Sequence, residues 1–583
     1  MAKPDLILLH APSVYDFRKM PIMYGPVSDV IPSGPIFEMY PIGFATIAEY
    51  LERSGLSVRI INIAVRMMKS PRFDVEKLIR SLDAQAFGID LHWLPHAHGS
   101  LEIAKIIKKY HPHTPVIFGG FSATYFHEEL IRYPQVDFVV RGDSTEEPLR
   151  LLIECIKNGG NPEVIPNLTW KDLAGNTRMN PITCVPDNIN YISLDYGHIM
   201  RSVVKYQDLI GHIPFENWLK YPITAALTCR GCTKNCVTCG GSATTFRKIF
   251  RRNRAAFRDP ELLAQDIESI QRHLKGPIFV VGDVRQAGDD YAHKFLSELK
   301  KRRITNRVAF EFFTPPPEDF LASLKEALPH YSVEISMESH DEEVRRAIGK
   351  IYSNEAVEAS IKYALNNGCE RFDLYFMTGL PKQTAQSVLD TVEYCDQLYG
   401  KLDGDKRLLL FISPMAPFLD PGSQIFENPD SYGYSLSCKT LEEHRQALTR
   451  PSWKYILNYE TQWMTRNEQV ESTYQAALGL NRLKAEYGAV DFKTAQETEV
   501  RILRAQEVIK KIDDIVSIED EVVRERRLRE LKGEELVSVS TVCEKRELEW
   551  PTQIFNFRAL NIIRTLSVPK FARANPSSHA KNK

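Results

Sequence analysis

The stretch 226-ALTCRGCTKNCVTCGGS-242 gathers four of the chain's ten cysteines between Cys229 and Cys239. Cys229, Cys232, Cys236 and Cys239 read C-x2-C-x3-C-x2-C. A structural zinc ribbon separates its two C-x2-C knuckles by about 15 to 20 residues so that they can face each other, and three intervening residues do not allow that easily. Three ligands only, Cys232, Cys236 and Cys239 in C-x3-C-x2-C, suit a different centre. Three thiolates on one loop hold three irons of a 4Fe-4S cluster and leave the fourth iron open to a substrate. Cys229 then has the ordinary role of a small residue at a strand end, since a fourth protein ligand would close the open iron.

Working outward, the loop follows the apolar run "ITAALT", the first of six: "PIFVVGD", "RVAFEFF", "SVEISMES", "FDLYFMTG" and "LLLFISP" come next, with helical stretches between them. Six such units predict a partial (β/α)6 barrel over 221–425, with its chemistry at the carboxyl ends of the strands. Upstream, "LILLHA", "VRIINIA", "AFGIDLH", "PVIFGG" and "VDFVVRG" alternate with amphipathic segments such as "IGFATIAEYLERSG". That alternation predicts a doubly wound α/β domain over 1–165, in which the loops "PSVYDF", "WLPHAHGS", "FSAT" and "DSTEE" face one ligand. A hairpin around "LAGN" leads out of this domain into a linker over 166–220. Beyond Ser423 helices take over, and apolar spacing at Val508, Ile512, Ile515 and Val522 marks the helical region 426–583.

Composition excludes several classes. A chain of 583 residues, 43% hydrophobic and 26% charged, is ordinary globular protein. Its 74 basic and 75 acidic residues give no overall pull toward nucleic acid or an anionic membrane. The apolar run in "MAKPDLILLHAPSV" is too short for a signal peptide, and no run reaches the ~18 apolar residues of a transmembrane helix. Cysteine usage without an export signal predicts the reducing cytoplasm.

The cysteine loop after the first barrel strand resembles the radical S-adenosylmethionine (SAM) superfamily, and the preceding domain, with "GGFSAT" and "VRGDSTEEP", resembles its cobalamin-binding subgroup. The resemblance implies a 4Fe-4S cluster on Cys232, Cys236 and Cys239, SAM chelated to the open iron, and cobalamin in the first domain. It places Asp283, in "VVGD", at the SAM amino group. Ser336 and Glu338 fall at the end of the fourth strand, where a carboxylate accepts from two ribose hydroxyls. Lys350 pairs with the SAM carboxylate or is an exposed helix-end lysine. Gly379, in "MTGLPKQT", permits backbone to approach the adenine. For cobalamin it implies Gly119, Gly120, Ser122 and Thr124 at one strand end, Gly142 and Glu146 at the next, and His92 on a cofactor-facing loop. A Rossmann dinucleotide site is the rival, but G-x-G-x-x-G is absent after the first strand. Asp-x-His-x-x-Gly is absent there too: the one Asp-x-His, Asp90 and His92, follows the third strand with Pro95 in place of glycine. This implies cobalt without an axial histidine from that motif. His92, His96 and His98 read as a cofactor loop or as a metal cluster.

The reading that follows is a cobalamin-dependent radical SAM enzyme, methylating an unactivated carbon of a small-molecule or lipid substrate. Alternatives are radical cyclisation or carbon-carbon coupling, and a sensor that catalyses nothing. The basic run "RKIFRRNRAAFR", Arg247 to Arg258, is a solvated face or a dock for an acidic ferredoxin or flavodoxin. Trp453, Tyr459 and Trp463 read as core packing before a cavity wall.

Overall fold

A computed structural model describes residues 3–26, 36–415, 417–531, 536, 541–550, 552 and 556–567. The first sheet holds β1 (Leu6–His10), β2 (Val58–Asn62), β3 (Ala86–Asp90), β4 (Val116–Gly119) and β5 (Phe138–Val140), all parallel, in the order β2-β1-β3-β4-β5. Every residue of β1 and β3 is buried, as strands covered by helices on both faces require. The strand order reverses between β1 and β3, which opens a crevice at their carboxyl ends.

The "LAGN" hairpin does not lead away from this sheet. Its strands β6 (Leu168–Lys171) and β7 (Thr177–Met179) add antiparallel to β5, with Val139 opposite Thr169 and Thr169 opposite Met179. An uncovered β5 would leave an edge of unpaired N–H and C=O groups, and the hairpin supplies their partners. Two helices flank the crevice. One is Ile42–Arg53. The other, Glu146–Asn158, buries Leu149, Leu152 and Ile153 and stops at Gly159, whose φ of 68° is a left-handed cap.

The second sheet begins with β8 (Thr224–Leu227). The two-residue β9 (Cys229–Arg230) then pairs antiparallel with β10 (Ala256–Phe257). Strands β11 (Ile278–Val281), β12 (Val308–Phe312), β13 (Tyr331–Glu338), β14 (Cys369–Thr378) and β15 (Leu408–Pro414) lie beside β8 in chain order, all parallel. These are the six expected apolar runs. The β13–β14 register shifts between Ser336 and Glu338, and Glu338 takes a φ of 71°. Such irregularities re-aim side chains at strand ends.

The C-terminal region is mostly helical, with long helices Arg466–Glu486 and Phe492–Val516. Two corrections apply. Tyr459 lies not on a helix but on β17 (Tyr459–Thr461), antiparallel to β16 (Tyr434–Leu436). The second long helix ends before Val522, which is 78% exposed on a separate helix capped by Asp520. Trp453 is buried and donates Nε1–H to the Tyr474 hydroxyl at 3.0 Å, a core role. Residues 541–550 return to stopper the amino end of the barrel. There Trp550 stacks on Phe279, its backbone N–H donates to the Tyr221 hydroxyl at 2.9 Å, and its indole N–H donates to Asp373 Oδ2 at 3.0 Å. Among the described residues no helix is long and apolar enough to cross a membrane.

Candidate functional site

The cysteine loop leaves β8 at Thr228, whose Oγ1 donates to the Val281 carbonyl at 2.7 Å. Gly231, with φ of 94°, makes the turn; a Cβ there would lie 3.0 Å from Ala255 Cα. Loops from three other barrel strands then grip the cysteine loop. Thr233 donates from backbone and hydroxyl to Gln286 Oε1 at 2.9 and 3.0 Å, Val237 N–H donates to the Ile348 carbonyl at 3.1 Å, and Gly240 N–H donates to Asp420 Oδ2 at 3.0 Å.

Cys232, Cys236 and Cys239 are free thiols, the first two half-buried and the third exposed. Backbone N–H groups already point at two sulfurs, Lys234 at Cys232 Sγ (3.3 Å) and Gly241 at Cys239 Sγ (3.2 Å). Burial pushes the Cys232 and Cys236 thiols up, Cys236 and Glu311 adding to the first and Glu338 to the second. A bound cation reverses that cost and the N–H donors support thiolate, so this donor set fits an iron-sulfur cluster. Among the described residues no three His, Cys, Asp or Glu side chains converge on one ion. A cluster needs no such convergence, because each iron takes one thiolate. Cys229 is not a fourth member: it sits on β9, its Sγ donates to the Gly231 carbonyl at 3.4 Å, and burial pushes its thiol up to about 11.

At the barrel mouth, Ser336 and Glu338 stand at the end of β13 next to this loop. Lys350 is buried and not at a solvated helix end. Its Nζ donates to Glu338 Oε1 at 2.6 Å and to the Ser336 carbonyl. The two residues assigned to different parts of SAM therefore hold each other, and Lys350 fixes the Glu338 carboxylate. Asp283, expected at the SAM amino group, is bonded elsewhere in this structure. Its carboxylate is buried and spent on the Arg285 guanidinium (2.7 and 3.0 Å) and the Phe313 N–H (3.1 Å). From β12 it is Glu311 that faces the cysteine loop, near enough to raise the Cys232 thiol, while accepting from Gly282 N–H at 2.9 Å. Gly379 has φ of 91°, but the space a Cβ would take is filled by Tyr459 and Gln469, 2.7 and 2.5 Å away. Its glycine requirement thus comes from C-terminal packing on that side.

A cavity of about 390 Å³ joins the two sheets. From the first domain His92, Gly119, Gly120, Gly142 and Glu146 line it; from the barrel side Cys229, Arg230 and Gly231 do. Gly120 has φ of 114°, and a Cβ there would lie 2.4 Å from His92 Cα, so the two loops pack backbone to backbone. Ser122 and Thr124 do not reach the cavity. Both are buried, and Thr124 Oγ1 donates to the Gly120 carbonyl (2.8 Å) and accepts from Gly142 N–H (3.0 Å), tying the β4 and β5 loops together. Phe121 lines the cavity in their place, against Phe246 and Phe250. The glycine-walled, largely apolar slot between Ile42–Arg53 and Glu146–Asn158 fits a bulky planar cofactor. His96 and His98 stay in the interior, with His96 Nδ1 against the Ala11 carbonyl and His98 Nδ1 accepting from Tyr15 N–H.

The basic run is largely accounted for by the domain junction. Arg252 is buried against Asp143 and Ser144 of the first domain, and Arg258 against Asp266. Arg247, Lys248, Arg251 and Arg254 remain exposed. Sequence reasoning missed Arg230, which enters the first domain to meet Glu146, and Glu311. A signal for Glu311 was present: it is the one acid in "RVAFEFF", at an inward position of an otherwise apolar strand.

The B12 binding domain family matches residues 36–152, and the Radical SAM superfamily matches residues 227–395. The chain is 22% identical over 384 residues, 59% of its length and 69% of the relative's, to cytidylyl-2-hydroxyethylphosphonate methyltransferase of Streptomyces wedmorensis. It is 24% identical over 287 residues, 46% of each chain, to hopanoid C-3 methylase of Methylococcus capsulatus. The radical SAM methyltransferase TsrM of Kitasatospora setae, solved with cobalamin and a [4Fe-4S] cluster, shares the fold at 16% identity and a TM-score of 0.55, over 76% of this chain and 84% of that one. A 4Fe-4S cluster, SAM and cobalamin are accordingly its cofactors. With a B12 binding domain ahead of a radical SAM barrel, the chain has the domain organisation of a cobalamin-binding radical SAM enzyme.

Proposed function

We propose that the protein transfers a methyl group to an unactivated carbon of a small-molecule or lipid substrate. The observation that carries this reading is the shared cavity: Cys229, Arg230 and Gly231 of the cysteine loop line the same space as the carboxyl ends of β3, β4 and β5. When bound, the cluster with SAM supplies a 5'-deoxyadenosyl radical and cobalamin supplies the methyl group. The chain's own part is positioning. Glu338, held by Lys350, presents a carboxylate to ribose hydroxyls, and Glu311 faces the cysteine loop from β12. Phe121, Phe246 and Phe250 exclude water from one wall of the cavity. That the two relatives and TsrM are methyltransferases supports methylation. The reading places the protein in a reducing cytoplasm, with electrons delivered by an acidic ferredoxin or flavodoxin that meets the exposed Arg247, Lys248, Arg251 and Arg254.

Comparing small molecules and lipids with and without the gene identifies the substrate. With that substrate and methyl-labelled SAM, methyl transfer yields labelled product, with S-adenosylhomocysteine and 5'-deoxyadenosine in about equal amounts. Deoxyadenosine alone, with unlabelled product, replaces this reading by cyclisation or coupling.

A further inference from the structure

The histidines around β3 are not equivalent. Asp90, 4% exposed at the end of β3, accepts from two of them: His10 Nδ1 at 3.0 and 3.1 Å, and His92 Nδ1 at 2.7 Å. A carboxylate on Nδ1 keeps the proton there and leaves the Nε2 lone pair free. At His10, however, Nε2 faces the Phe37 carbonyl at 3.1 Å, an acceptor that takes an N–H and leaves no lone pair for a metal. His92 differs. Its side chain is 29% exposed, it lines the cavity, and among the described residues its Nε2 meets no hydrogen-bond partner. Its backbone cannot drift, because Gly120 packs directly on its Cα and N. The position is the crevice beside the strand-order reversal between β1 and β3.

The geometry points to His92 as an axial ligand of cobalt, through Nε2, on the face of the corrin turned toward the first domain. A neutral imidazole whose other nitrogen is bonded to a buried carboxylate is the standard arrangement of a metal-binding histidine, and imidazole suits first-row metals. Here the supporting acid comes from the residue two before it on β3, a site that the missing Asp-x-His-x-x-Gly after the first strand does not reveal. This proposal departs from the expectation of cobalt without a protein imidazole. This inference rests on the cobalamin site and not on methyl transfer, so it stands or falls separately from the proposed reaction.

The test is electron paramagnetic resonance of the full-length protein loaded with cob(II)alamin, grown with natural or 15N-labelled histidine. The expected result is a triplet splitting on each cobalt line that becomes a doublet with 15N-histidine and disappears in His92→Asn, which still donates to Asp90. Bound cobalamin is followed by its visible absorption in every sample. No nitrogen splitting in protein that holds cobalamin overturns the inference. So does a triplet indifferent to the histidine label, which would come from the cofactor's own benzimidazole. A doublet that persists in His92→Asn assigns the ligand to another histidine and also overturns it. Should His92→Asn lose cobalamin, the labelled wild-type spectrum combined with His96→Gln decides: the doublet must survive that change.

Discussion

Arg230 and Glu146, 84 residues apart in sequence, form a buried two-pronged ion pair, with NH2 to Oε1 at 2.5 Å and NH1 to Oε2 at 2.7 Å. Thr46 Oγ1 donates to the same carboxylate at 2.8 Å, and the Tyr191 hydroxyl accepts from Arg230 at 2.9 Å. Arg230 lies between Cys229 and Cys232, while Glu146 begins the helix after β5, so the pair pins the cysteine loop to the cobalamin domain. Breaking one side strands a buried charge, at a cost of about 3–5 kcal/mol. Glu146→Ala should therefore lower the first thermal transition clearly. The double change Glu146→Leu with Arg230→Met should destabilise less than either single removal. Equal or additive losses would mean that the pair is not the junction's main polar contact.

The cysteines separate by role. Alanine at Cys232, Cys236 or Cys239 should abolish cluster assembly and SAM cleavage, while Cys229→Ala should keep both nearly unchanged, because its thiol donates to the Gly231 carbonyl at 3.4 Å. Iron and sulfide analysis after anaerobic reconstitution measures this. Cluster loss on changing Cys229 with retention in the others would refute the assignment.

Two acids near the barrel mouth should behave oppositely. Glu338→Ala removes the carboxylate that Lys350 holds out at the end of β13 and should weaken SAM binding tenfold or more, about 1.4 kcal/mol. Asp283→Asn should leave SAM affinity within about twofold yet reduce stability, because its partners are Arg285 and Phe313. Equilibrium binding of SAM to the reconstituted variants, alongside thermal unfolding, reads both effects. A large affinity loss in Asp283→Asn would restore it to the amino-group role.

Much of this architecture was legible because it is written in local signals. The six barrel strands announce themselves as short apolar runs, and the C-x3-C-x2-C loop by spacing alone. The surroundings that were not legible share a cause: what a side chain meets across the fold is invisible in its own neighbourhood. Thr124 and Asp283 look like ligand groups in their motifs, yet Gly142 N–H and Arg285 take their bonding capacity. Gly379 looks like a place for a cofactor, but Tyr459 and Gln469 come to it from far along the chain. Arg252 and Arg258 look like surface until Asp143 and Asp266 are placed against them.

Glu49, on the helix Ile42–Arg53, gives a pH prediction. Burial, aided by Asp195 and Asp266 and opposed by Arg53 and Arg258, raises its carboxyl from 4.5 to about 7, and its Oε2 lacks a hydrogen-bond partner among the described residues. A folded-state value above the unfolded one favours the protonated form, so this group costs stability as pH rises from about 4.5 to about 7 and the cost then levels off. Glu49→Gln should be neutral near about pH 4 and stabilising by about 1–3 kcal/mol near about pH 8. Denaturant unfolding at the two pH values checks it; equal effects at both would show that Glu49 titrates normally.

The stopper at the amino end of the barrel has a consequence for the order of synthesis. Trp550 closes on Tyr221 across 329 residues, and Arg371 of β14 donates to the Glu547 and Glu549 carbonyls. The strands of the barrel emerge from the ribosome first, and the indole that fills the space beside Phe279 follows only after the helices beyond β15. The first domain can mature as soon as its hairpin is made, whereas the barrel waits, with apolar strand ends uncovered, until the segment holding Trp550 has followed. In a growing cell that interval is when this protein most needs a chaperone.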